Sequence, residues 1–183
     1  CWNNNLTSLP VLPPTLEILS CSRNNLTSLP VLPPTLKILS CEHNKLTSLL
    51  PFSVSASGKH PLGLPPTLEI LRCSYNQLTS LTSTSVLASG KNPFGLPTTL
   101  KEISCASNKL TSLPSSLLFC RNLRDISYKG NEIELTLPQI RFIERIRNRP
   151  NLNNGSVYGD QQNVHNSAVQ KSLLESINVL FAK

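Results

Sequence analysis

Residues 1–127 write one sentence five times: Asn-x-Leu-Thr-Ser-Leu, a proline-rich return, then Leu-x-x-Leu/Ile-x-Cys/Tyr, opening at Cys1, Cys21, Cys41, Cys73 and Cys105. A chain that repeats at this period is not built around one closed core. Each unit buries its apolar face against the next, which makes a solenoid. The first two units, Cys1 to Ser20 and Cys21 to Ser40, are nearly identical and set a 20-residue period. Those opening at Cys41 and Cys73 run 32 residues, the one at Cys105 runs 23, and a degenerate unit starts at Tyr128.

Written as Leu16-x-x-Leu19-x-Cys21-x-x-Asn24-x-Leu26-x-x-Leu29-Pro30, the unit falls on the leucine-rich-repeat signature, with cysteine in the third apolar slot. Alternation in Ile18-Leu19-Ser20-Cys21-Ser22 turns Leu19 and Cys21 to one face and Ile18, Ser20 and Ser22 to the other, the period of a strand. Stacked units then make a parallel sheet, with Leu16, Leu19, Cys21, Leu26 and Leu29 filling the interior. After each strand comes an asparagine: Asn4, Asn24, Asn44, Asn76, Asn108 and Asn131. An inward amide at the turn leaving a sheet supplies donors and an acceptor to backbone groups without strand partners, so this row reads as structural. The return strokes, such as Pro30-Val31-Leu32-Pro33-Pro34, cannot feed a helix ladder and favour extended, polyproline-like backbone. The expected architecture is an α/β leucine-rich-repeat solenoid. It has a parallel sheet on the concave face, an extended convex side without helices before residue 115, and a C-terminal helical cap.

The short unit with Leu-Pro-x-Leu-Pro-Pro on its return resembles the 20-residue repeats of secreted bacterial effectors, the scaffold and ubiquitin-ligase effectors of Gram-negative pathogens. Similar cysteine-bearing repeats occur in proteins of large DNA viruses and amoeba-associated bacteria. The resemblance covers roughly residues 1–138 and implies a protein-binding solenoid, while leaving the partner open.

The two long units carry matching extra segments on the return side, Ala56-Ser-Gly58-Lys59-His-Pro61 and Ala88-Ser-Gly90-Lys91-Asn-Pro93. Their Gly-Lys pairs lack the first glycine of a phosphate loop and are soon followed by proline, so they read as loop tips. Five of the six cysteines occupy a buried repeat position, and Cys120 lies in the irregular unit. A row of equivalent thiols reads as small apolar filler in a reducing compartment, which favours the cytosol, including that of a host cell. No Cys-x-x-Cys or Cys/His cluster offers a metal site, and no cofactor motif is present. The Asn-x-Ser/Thr sequons at Asn5, Asn25 and Asn154 would matter only behind a signal segment, and no apolar leader or membrane segment is seen. The chain contains no methionine and opens inside a repeat, so it reads as a fragment.

From Leu137 the period becomes helical. Pro138 sits near a first turn, and Ile140, Ile143 and Ile146 share a face that would close the stack, leaving Arg141, Arg145, Arg147 and Arg149 as a solvated face or, alternatively, a partner patch. A polar linker, 151–160, leads to a second amphipathic stretch, 166–181. The domain division is 1–136 for the solenoid and 137–183 for cap and tail. Asp160 and His165 have no nucleophile beside them.

Function in such an architecture lies on outward strand positions. The first row is Ile18, Ile38, Ile70, Glu102 and Asp125, and the second is Ser20, Ser40, Arg72, Ser104 and Ser127. The third is Trp2, Ser22, Glu42, Ser74, Ala106 and Lys129, with Asn3, Arg23, His43, Tyr75 and Ser107 beside it at the sheet edge. Three stacked isoleucines on a solvent face form an apolar stripe of the kind that often marks an interface, or alternatively reflect isoleucine's preference for strands, and Trp2, Tyr75, Arg23 and Arg72 are of hot-spot type. The partner-binding set is therefore Trp2, Ile18, Arg23, Ile38, Glu42, His43, Ile70, Arg72, Tyr75, Glu102, Asp125 and Lys129. The net charge of +7 suggests nucleic acid, but no aromatic stacking platform accompanies the late arginines, which points away from it. The expectation is a non-catalytic, monomeric protein-interaction module. The alternative is the recognition arm of an E3 ubiquitin ligase with its catalytic domain elsewhere. Such enzymes use a cysteine followed two positions on by an acidic residue, and Cys120-Arg-Asn departs from that pattern.

Overall fold

The computed structural model describes residues 1–50, 63–82 and 95–149. The Gly58-Lys59 and Gly90-Lys91 segments, Asp160, His165 and the stretch 166–181 lie outside the described residues. Cys1–Arg149 form one compact unit.

Five short strands, β1 (Ile18–Ser20), β2 (Ile38–Ser40), β3 (Ile70–Arg72), β4 (Glu102–Ser104) and β5 (Asp125–Ser127), pair in chain order into one parallel sheet. The middle residue of each strand, Leu19, Leu39, Leu71, Ile103 or Ile126, is buried, and its neighbours face outward. Register is in step throughout, so Ile18, Ile38, Ile70, Glu102 and Asp125 lie side by side. Each ladder continues one residue further, the Cys41 N–H donating to the Arg72 carbonyl at 2.8 Å and the Cys73 N–H to Ser104 at 2.7 Å.

The interior is the leucine and cysteine column that the repeat spacing dictates. Leu26, Leu36, Leu46, Leu68, Leu78, Leu100 and Leu110 are fully buried, as are Cys21, Cys41, Cys73, Cys105 and Cys120. All six cysteines are free thiols. Burial pushes the thiols up from their ordinary 9.0, Cys21 and Cys120 to about 11, Cys105 to about 12, and Cys41 and Cys73 well above it. They are neutral apolar filler. Cys1 departs from the expectation and is exposed, because the first coil has a neighbour on one side only.

Two polar rails hold the coils in register. Asn76 Oδ1 accepts the Leu46 N–H at 3.0 Å, while Nδ2 donates to the carbonyls of Cys41, Cys73 and Ser74. Asn24, Asn44, Asn108 and Asn131 repeat the arrangement. Each of these amides thus ties the carbonyl of its own coil to groups of the preceding one. On the return side, Pro13, Pro33, Pro65 and Pro97 open tight turns whose carbonyls accept the N–H of the leucine three residues on. There Thr35 Oγ1 donates to Pro14 and Leu16, Thr67 to Pro34 and Leu36, and Thr99 to Pro66 and Leu68, at 2.7–3.0 Å. The carbonyl of a proline inside such a turn has no ladder donor of its own, and the hydroxyl one coil on supplies it.

Among the described residues, no helical turn precedes the 3₁₀ turn Ser115–Phe119. Helix α1 (Leu137–Arg147) follows β5 and packs on both. Its buried face is Gln139, Phe142, Ile143 and Ile146, with Ile140 only half-buried, so the face is rotated from the isoleucine-only stripe. Gln139 explains the rotation. Its Oε1 accepts the Thr136 N–H at 3.0 Å, and its Nε2 donates to the Leu113 carbonyl at 2.8 Å, satisfying a core carbonyl that has no further coil to meet. Two of the arginines also fasten the helix, Arg147 over the Tyr128 ring and Arg149 donating to the Leu123 carbonyl, while Arg145 lies over Phe142 within α1, both rings 5.8 Å from the guanidinium.

Candidate protein-binding surface

The outward sheet face assembles from the residues that the inward column leaves over. Ile18 is 59% exposed, and Ile38 and Ile70 are half-buried beside it, forming an apolar row that runs into Glu102 and Asp125. Arg72, on the next row, is not free. Its Nε meets Glu102 Oε1 at 2.6 Å and its Nη2 meets Oε2 at 3.0 Å, a forked pair across β3 and β4. The hydrogen bond to Glu102 pushes the guanidinium above its ordinary value, and the charges of Glu102, Glu42 and Asp125 add to it. Of these carboxylates only Glu102 is paired with Arg72.

The third row differs from expectation. Ser22 and Ser74 are buried, because their hydroxyls fold back to accept the N–H groups of Glu42 and Ala106, each at 3.1 Å. Trp2 is 58% exposed on the first coil, Glu42 and Ala106 are half-buried, and Lys129 is half-buried with contacts of its own. Flanking the sheet on its other side, exposed pairs Lys37–Glu17 at 2.9 Å and Lys101–Glu69 at 2.7 Å link successive coils.

At the turn edge the structure adds something that spacing alone did not show. Asn3, Arg23, His43, Tyr75 and Ser107 all have φ between 52° and 56°, and Gly130 occupies the same place in the last coil at 67°. This left-handed backbone lets each residue send its N–H to the next coil, as Tyr75 does to Ala106 at 2.9 Å, while the following asparagine turns inward. For a residue with a Cβ the conformation costs about 1 kcal/mol, and glycine avoids that cost. Even so, His43 and Tyr75 carry rings there, stacked with centroids 4.3 Å apart and planes 6° from parallel. The side chains of this column vary, and only Asn3 and Gly130, at its two ends, are residue types that commonly take this backbone.

Beside this edge lies a surface cleft of about 530 Å³ lined by Asn108, Lys109, Gly130, Asn131 and Glu132, which brings no nucleophile and base together. Among the described residues no three His, Cys, Asp or Glu side chains converge as a metal site, and no helix is long and apolar enough to cross a membrane.

The fold is similar to YopM from Yersinia enterocolitica WA-314, with a TM-score of 0.56 and 32% sequence identity over 73% of this chain and 24% of that one. The chain is a leucine-rich-repeat protein. It resembles the leucine-rich repeats of bacterial effectors, and it spans about a quarter of the length of that YopM chain. A second similar structure is the leucine-rich effector protein YopM from Yersinia pestis, 28% identical over 73% of this chain and 43% of that one, with a TM-score of 0.39. No protein-family model matches this leucine-rich-repeat chain, and no curated protein matches it.

Proposed function

We propose that this leucine-rich-repeat chain is a non-catalytic recognition module that binds a partner protein through its outward, concave sheet face, as part of a pathogen or viral effector working in a host cytosol. One observation carries the reading. Ile18, Ile38 and Ile70 stand in register on the solvent side of a sheet whose core lies on the other side, so they form an apolar row outside the core. The test is a selection of short peptides from a phage-displayed library against the immobilised chain. Ile38→Asp should weaken the recovered peptides at least about tenfold with circular dichroism and melting unchanged. Retained binding would remove the sheet face from consideration.

The alternative, a recognition arm for a ubiquitin ligase, places catalysis outside these residues. Cys120 is buried, its thiol donates to the Pro97 carbonyl at 3.5 Å, and burial pushes it up to about 11, the reverse of an activated nucleophile. A ubiquitin thioester formed by the chain and lost on Cys120→Ala would reverse that conclusion.

A further inference from the structure

Successive coils are joined at the turn edge by three kinds of backbone donor. The left-handed residue donates to a carbonyl of the following coil, Arg23 to Glu42, His43 to Ser74, Tyr75 to Ala106 and Ser107 to Lys129, at 2.7–3.0 Å. The asparagine after it donates to the next carbonyl along, as Asn44 does to Tyr75 and Asn76 to Ser107. The leucine two residues further on donates to an asparagine side chain, Leu26, Leu46, Leu78 and Leu110 to the Oδ1 of Asn44, Asn76, Asn108 and Asn131, each at 3.0 Å. These donors therefore meet the same short segment at every joint, two successive carbonyls and then an asparagine, as in Ala106, Ser107 and Asn108. The asparagine also reaches back with its Nδ2, which donates to the cysteine carbonyl of the preceding coil, Asn108 to Cys73 at 3.1 Å and Asn131 to Cys105 at 3.0 Å.

The last coil repeats the donors without that segment. Gly130, Asn131 and Ile133 hold the three places, and their N–H groups have no acceptor among the described residues. Tyr128 stands where the cysteine would, and among the described residues its carbonyl accepts only from Asn131 of its own coil. The chain turns into α1 here, and α1 packs on β5 and closes the core end through Gln139 while leaving Gly130 and Glu132 exposed. The cleft of about 530 Å³ lined by Asn108, Lys109, Gly130, Asn131 and Glu132 gives access to this edge. An open row of backbone donors at a sheet edge is a template for one more extended segment. The earlier joints specify what that segment must offer. A simple anion could take the N–H groups but has nothing to give the Tyr128 carbonyl, whereas an amide side chain after two carbonyls serves both.

We propose that this edge docks an extended x-x-Asn segment of a partner protein. Its two carbonyls take the Gly130 and Asn131 N–H groups, and its asparagine amide takes the Ile133 N–H while donating to the Tyr128 carbonyl. This surface is separate from the isoleucine row and does not depend on it. The test is a selection of phage-displayed peptides on the full chain carrying Ile38→Asp, which takes the sheet face out of the competition. Recovered sequences should be enriched in asparagine over the starting library. A resynthesised peptide should slow amide exchange at Gly130, Asn131 and Ile133 at least about tenfold and leave Tyr75 and Ser107 as they were. Replacing its asparagine by aspartate should weaken binding about tenfold, since a carboxylate keeps the acceptor and loses the donor. Recovery of no peptide, unchanged exchange at the three amides, or aspartate binding as tightly as asparagine would overturn the proposal, the last result pointing to a plain anion site. Self-association of the chain that Asn4→Ala abolishes would give the edge to a second copy and overturn it as well.

Discussion

The first two coils differ only at Trp2/Ser22, Asn3/Arg23 and Glu17/Lys37, yet their shared leucines live in different surroundings. Leu26, Leu29, Leu32 and Leu36 are buried, while Leu6 is 37% exposed and Leu9, Leu12 and Leu16 are half-buried. Cys21 is buried and Cys1 is exposed. Asn24 binds carbonyls of two coils, whereas the Asn4 amide donates only to its own neighbour Trp2. Nearly the same letters therefore give a core residue in one coil and a surface residue in the other. Stability in this fold belongs to interfaces between units more than to the units themselves.

Paired substitutions measure that contrast. Leu26→Ala should cost about 3 kcal/mol by urea denaturation, from lost burial and the cavity left behind, and Leu6→Ala under about 1 kcal/mol. Equal losses would break the interface account. Asn76→Ala strands one buried N–H and several carbonyls and should cost about 2–3 kcal/mol, against under about 0.5 kcal/mol for Asn4→Ala. Gly130→Ala should lower stability by about 1–2 kcal/mol, since φ is 67° and the new Cβ would sit 3.0 Å from Ser107 Oγ.

The thiols test the burial itself. A thiol-reactive dye at neutral pH should label Cys1 in the native chain and reach the other five only in denaturant. Below pH 9 folded and unfolded thiols are both protonated and stability does not depend on them. Above it the unfolded chain ionises first, so the urea midpoint should fall as pH rises from about 9 towards 11 for Cys21 and Cys120 and towards 12 for Cys105. A flat midpoint across that range would contradict a dry thiol column.

What could be read from the sequence was whatever recurs at fixed spacing under one strong constraint. Leu19, Cys21, Asn24 and Leu26 recur because an inward position accepts little else, so the core, the sheet register and the asparagine rail were all legible. Thr35, Thr67 and Thr99 recur just as regularly, but a threonine after proline is also ordinary turn composition, and its role shows only where the coil spacing places it under a carbonyl. The left-handed column stayed hidden because its side chains vary, the usual glycine appearing only at Gly130. Outward rows followed from alternation, but alternation could not foresee that Ser22 and Ser74 fold back onto the backbone or that Arg72 is occupied by Glu102. Those outcomes depend on neighbours many residues away in the chain. Gln139 is polar and so lies outside any apolar spacing, yet its amide serves both Thr136 and Leu113.

That amide makes α1 the bolt of the last coil. While Gln139 grips the Leu113 carbonyl, the backbone amides of β5 should trade their protons with solvent almost as slowly as those of β4, and Gln139→Ala should loosen β5 first.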